Sequence, residues 1–171
     1  MVKNIHTRDL LASPSKVGEL IDSLASENDK LWPENQWWPM LFDRPLGVGA
    51  VGGHGPVRYV VEEYEQGRYI RFRFTETHVF IGTHAFDAEE IKPGVVRIRH
   101  VLDMRVKGII RALIFRLTIR VHDALIEDAF DRAEAYVTSR PVSQRKWSFL
   151  VRYLRRLFGL KGHGHNKGDR V

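Results

Sequence analysis

Three residues have the type and setting to do chemistry: His84, His100 and Asp128. Phe80, Gly82, His84 and Phe86 alternate along one stretch, and Ile98, His100 and Leu102 along the next. Side chains two apart on a strand share a face, so both imidazoles point where the large apolar residues point. Imidazole in an apolar setting is a polar handle that orients a ligand oxygen or moves a proton. The alternative is a pair of core histidines bonded to each other or to neighbouring carboxylates. Asp128 falls at the centre of an apolar helical stripe. A carboxylate there must be paired or solvated. Either it enters a cavity to meet a ligand or a histidine, or it takes donors from a neighbouring element and fixes the helix. The second is favoured.

Several other chemistries are excluded. The 171 residues contain no cysteine, which removes disulfides, thiol catalysis and cysteine-based zinc sites. No G-x-S-x-G segment occurs and no Ser-His-Asp order stands out. Gly47 to Gly52 spells G-x-G-x-x-G, but Gly53, Gly55 and Pro56 follow and break the helix that a dinucleotide site needs. A bend or β-bulge that lets a sheet curve is the better reading. Two histidines lack the further ligands of a metal centre. His163 and His165 lie on a Gly-rich stub expected to be inert. His122 and Asp123 diverge by about 100° on a helix and do not form a pair. No catalytic residue, cofactor or metal is assigned.

The elements that position these residues follow from periodicity. Residues 2–12 read as a strand. Ser13 and Pro14 open a short amphipathic helix to about Ser26. Residues 31–46 carry three prolines and Trp32, Trp37 and Trp38, and read as loop or single turns whose rings pack over something apolar. Strands are expected at 57–65, 68–76, 78–88 and 95–104, linked by short turns as an antiparallel meander. In 68–76, Ile70, Phe72 and Phe74 oppose Arg71 and Arg73. Those arginines, with Arg68, Arg97 and Arg99, are expected to pair with nearby acids on a wet face. A long helix runs from about Val106 to Ser139, ended by Pro141. It has an apolar stripe of Ile110, Leu117, Val121 and Leu125, a second of Phe115, Ile119, Ile126 and Phe130, and a polar face of Arg116, Arg120, Asp123 and Glu127. Two stripes imply cover on two sides.

The net charge of +6 is a property of the tail. Residues 140–171 carry nine Lys and Arg against Asp169 alone, so +8, while the rest has 18 basic and 20 acidic residues, so −2. Specific nucleic-acid binding is therefore not expected. The chain divides into 1–139, a folded domain, and 140–171, a basic amphipathic helix and flexible end. Trp147, Phe149, Arg152, Tyr153, Arg155 and Arg156 of that helix suit a membrane surface or an acidic partner. The competing reading, slightly favoured for the helix itself, docks it on its own domain. No run of about 18 apolar residues is free of charge, and the first residues do not read as a secretory signal. A cytoplasmic protein is expected, peripheral at the membrane surface where the tail binds.

Strand, short helix, antiparallel strands and long C-terminal helix is the helix-grip order. On SPSKVGELIDSLAS, GPVRYVVEEYEQGRYIRFRF, GTHAFDAEE, RIRHVLDM and HDALIEDAFDRAEAY, the chain resembles the START-like superfamily, which includes Bet v 1-like and polyketide cyclase/dehydrase-type (SRPBCC) proteins. The resemblance covers residues 3–138. It implies an α+β helix-grip fold: a curved antiparallel β-sheet wrapped around a long C-terminal α-helix, with short helices after the first strand. It also implies a cavity between sheet and helix for an apolar or amphipathic small molecule. The expected lining is His84, His100, Asp128, Tyr59, Phe72, Phe74, Phe86, Leu117 and Val121. Three functions are weighed: a carrier or sensor of such a molecule, a cyclase or hydratase with His84, His100 or Asp128 as acid or base, and a protein recruited to a membrane or partner by its C-terminal helix. The first is preferred.

Overall fold

The structure, a computed structural model, describes residues 1–78, 80–142 and 146–160. β1 (Val2–Leu11) leads into α1 (Pro14–Asp22), where the Ser13 Oγ accepts the Lys16 N–H at 3.3 Å and proline opens the first turn. Six further strands follow: β2 (Met40–Phe42), β3 (Val51–His54), β4 (Val57–Glu65), β5 (Tyr69–Phe74), β6 (Phe80–Lys92) and β7 (Val95–Val106). All pairs are antiparallel, in the order β1-β7-β6-β5-β4-β3-β2. The 30-residue α2 (Ile109–Thr138) crosses this sheet, and α3 (Phe149–Leu157) follows it. This is the expected α+β helix-grip architecture, with one helix, α1, between β1 and β2.

Period-two patterning decides the sheet. Ile70, Phe72 and Phe74 are buried, while Arg71 and Arg73 reach Glu62 across the outer face at 3.0 and 3.1 Å. Arg97–Asp9 at 2.7 Å and Arg99–Asp87 at 2.9 Å continue the outer ion pairs. Exposed pairs of this kind contribute little, because solvent screens them. The stability comes from the inner face, where Tyr59, Phe72, Phe86, Ile98 and Phe130 are fully buried.

Three expectations are corrected. The segment assigned to loop contains β2, and the glycine-rich bend contains β3. Strands of three and four residues bounded by Gly and Pro are too short to show alternation. The turn between β3 and β4 depends on Gly55, whose φ of 51° is left-handed. A Cβ there would lie 2.1 Å from the Trp38 ring. The third correction concerns α2. Its burial begins in earnest at Leu125, and Ile110 and Leu117, expected to be covered, are 74% and 49% exposed.

α2 also meets a polar seam that its sequence did not reveal. Asn4, His6 and Arg8 alternate along the helix-facing side of β1 and match Asp123, Glu127 and Asp131, one turn apart on α2. Asn4 Nδ2 donates to Asp123 Oδ1 at 3.0 Å, His6 Nδ1 meets Glu127 Oε1 at 2.8 Å, and Arg8 reaches Glu127 and Asp131 at 3.1 Å. Asp123 and Glu127 therefore face β1 rather than open solvent.

Candidate functional site

Between the inner face of the sheet and the middle of α2 lies a cavity of about 260 Å³, open on one side. Phe74, His84, His100, Leu102 and Met104 form its sheet wall, and Phe115, Thr118, Ile119, Val121, His122 and Leu125 its helix wall. Trp32, Trp37, Trp38 and His54 close one end, joined by Phe158 and Leu160 from the C-terminal segment. The Pro-rich segment supplies those indoles because buried Asp29 clamps it: the carboxylate accepts backbone N–H groups of Ala25, Leu31 and Trp32 at 2.7 to 2.8 Å. Burial pushes the Asp29 carboxyl up to about 6, against those three donors.

Four imidazoles stand in or against this apolar wall. His84 pairs in register with Leu102, and His100 with Phe86, so both point inward as alternation predicts. Their ring centroids lie 5.7 Å apart, and His122 from α2 lies 5.1 Å from His100. His84 stacks on Phe72 at 4.7 Å and meets Tyr59 edge-on at 4.7 Å. His54 Nδ1 bonds the Tyr59 hydroxyl at 3.1 Å. In contrast, His84 Nε2, His100 Nδ1 and His122 Nδ1 are buried without a hydrogen-bond partner. Burial, reinforced by the mutual repulsion of these imidazoles when charged, holds His84 and His100 well below the usual histidine range and lowers His54 to about 3. Burial lowers His122 as well, with Asp123 opposing. All four are neutral at physiological pH, each with one donor and one acceptor nitrogen.

Of the residues named from sequence, His84, His100, Phe74 and Val121 line the cavity. Tyr59, Phe72 and Phe86 are fully buried behind His84 and His100 and support their rings. Leu117 sits half-exposed on the outer side of α2. Asp128 is buried away from the lining, and its Oδ2 accepts both the Trp37 and Trp147 indole N–H at 2.9 Å. Burial raises its carboxyl despite those two donors. Asp128 is thus the anchor of a docked tail: the Arg155 guanidinium lies between the Trp37 and Trp147 rings, 4.1 and 3.8 Å from their centroids, and donates to the Gln36 carbonyl at 2.6 Å. Trp147 and Arg155, named for a membrane or partner, are turned inward, whereas Phe149, Arg152, Tyr153 and Arg156 remain exposed.

Sequence reasoning missed His54 and set His122 aside. His54 stands among glycines with no alternation, and His122 lies between the helical stripes. His6, His122 and Asp123 also bring potential metal-ligating atoms within 4.8 Å of one another. His6 already bridges Glu127 at 2.8 Å and Asp123 at 3.3 Å, and its hydrogen bond to Asp123 raises its pKa against burial. His6 bridging two carboxylates accounts for this cluster by contacts within the chain.

A curved antiparallel sheet gripping one long helix over an open, histidine-lined hollow is a helix-grip arrangement. No family profile matches the chain, and no curated protein does. Solved structures do. Norcoclaurine synthase from Thalictrum flavum, in complex with dopamine and hydroxybenzaldehyde, matches at TM-score 0.59 and 13% identity over 82% of this chain and 90% of that one. CalU16 from Micromonospora echinospora matches at 0.54 and 13% over 92% and 83%. A Thermobifida fusca protein matches at 0.64 and 11% over 85% and 100%. At these identities the likeness is one of fold alone.

Proposed function

We propose that this protein binds a small, mostly apolar molecule carrying one or two hydrogen-bonding groups, as a carrier or sensor. The observation that carries the proposal is the pair of buried imidazole nitrogens, His84 Nε2 and His100 Nδ1, that have no hydrogen-bond partner among the described residues in an otherwise apolar wall. An unpaired buried polar atom costs about 1–3 kcal/mol, which a guest's hydroxyl or carbonyl would recover. The cavity volume lies a little under the ~300 Å³ at which small-molecule sites commonly begin, which favours one or two fused rings over a long acyl chain.

The neutral histidines argue for binding over turnover. A general acid or base works best with a pKa near the working pH, and these rings are held far below it. They give and accept hydrogen bonds without changing charge. The cyclase or hydratase alternative keeps the support of the fold it shares with norcoclaurine synthase, and it needs a guest that restores an imidazole pKa.

Native mass spectrometry of the purified chain, together with displacement of an apolar fluorescent dye, tests the proposal. One guest per chain is expected, and Ile119→Trp, which fills the cavity, should lower dye affinity at least tenfold. A chain that neither carries a guest nor binds the dye would refute it.

A further inference from the structure

The amino-terminal half of α2 presents an apolar face that no other described residue covers. Ile109, Ile110, Leu113, Ile114 and Leu117 are between 49% and 83% exposed. At about 100° per residue they span an arc of roughly 140°. The cavity-lining Phe115, Thr118, Ile119 and His122 fall on the opposite side of the same turns. The segment is therefore apolar both inward and outward, and only the inward half is used by the fold.

Charge identifies what the outward half meets. From Met104 to His122 there are five cations, Arg105, Lys107, Arg111, Arg116 and Arg120, and no Asp or Glu. All five are exposed. The first turn holds no acid and Gly108 offers no capping side chain, so the positive end of the helix dipole adds to the same field. Two copies of this chain meeting through this face would bring like charges together. An apolar band flanked by arginines matches the boundary between anionic headgroups and acyl chains.

We infer that the amino-terminal half of α2 docks on the surface of an anionic phospholipid bilayer, with Ile110, Leu113 and Leu117 in the acyl boundary and Arg116 and Arg120 at the headgroups. The inference does not depend on what the cavity holds. It assigns the principal contact to α2, distinct from the α3 surface of Phe149, Arg152, Tyr153 and Arg156. No described helix is long and apolar enough to cross the membrane, so the contact is interfacial.

Vesicle flotation tests this with the full chain. Vesicles of phosphatidylcholine with about 30 mol% phosphatidylglycerol should carry the protein, and pure phosphatidylcholine vesicles should not. Ile110→Asp with Leu113→Asp should cut binding at least tenfold while circular dichroism and dye binding in the cavity stay unchanged. Phe149→Asp on α3 should cut it less. Three results would overturn the inference: no flotation of the wild-type chain at low salt, flotation of the α2 variant at wild-type level, or a dimer in analytical ultracentrifugation that the α2 variant abolishes.

Discussion

The neutral state of the cavity imidazoles sets the acid response of the whole chain. His54, His84, His100 and His122 all have folded-state pKa values below the ordinary 6.5. Below that pH the unfolded chain binds protons that the folded chain refuses. Their contribution to stability is therefore present above pH 6.5 and is lost as pH falls toward the folded values. The four act in the same direction, so their losses add as pH falls. His6 has the opposite sign: its pKa is raised, so its contribution is present below 6.5 and is lost as pH rises through its folded value. Urea midpoints measured from pH 7 to pH 5 should fall steeply, and a flat profile would show that the cavity is wet enough to protonate its histidines. The orientation of His84 and His100 was legible in the sequence because each sits in a strand of strict alternation. Asp128 was legible only as a carboxylate needing donors. Which donors it takes depends on Trp37 and Trp147, 91 and 19 residues away.

At the scale of elements, long periodic segments declare themselves and short ones do not. β4 was read with its observed bounds, and α2 to within three residues of them. β2 and β3 were missed because three or four residues carry no measurable period. The inward polar seam of β1 escaped for a different reason. Asn4, His6 and Arg8 look like the wet face of an edge strand until α2 supplies Asp123, Glu127 and Asp131 opposite them. The β3–β4 turn is the element most sensitive to one substitution. Gly55→Ala puts an L-residue at φ 51° and its methyl into the Trp38 ring. A loss of about 2–4 kcal/mol is expected in urea unfolding, together with weaker dye binding, because Trp38 closes one end of the cavity. Unchanged stability would mean that Trp38 has room to move aside.

On the scale of the molecule, one long helix serves two surfaces. Its carboxy-terminal half completes the core with Ile126, Ala129, Phe130 and Ala133, and its amino-terminal half roofs the cavity. The residues that follow α3, Phe158 and Leu160, add to the cavity wall, so the C-terminal segment takes part in the site. The sequence supplied the grip of sheet on helix and an apolar inner face. It could not supply how much of that face would be filled by the protein's own rings, because Tyr59, Phe72 and Phe86 pack behind the histidines by a curvature set by the sheet as a whole. The remaining hollow is small, and the polar side chains in its lining are histidines, tryptophans and Thr118.

The account rests on a guest's hydrogen-bonding group meeting the imidazole nitrogens, and calorimetric titration with 1-naphthol and naphthalene isolates that contact. The two probes share an apolar body and differ by one hydroxyl. A hydrogen bond to a buried imidazole is worth about 1–3 kcal/mol, so naphthol should bind at least fivefold more tightly. His100→Phe should shrink that preference while naphthalene affinity is kept. Equal affinity of the wild-type chain for both probes, or a preference that survives in both His84→Phe and His100→Phe, would contradict the role given to the histidines.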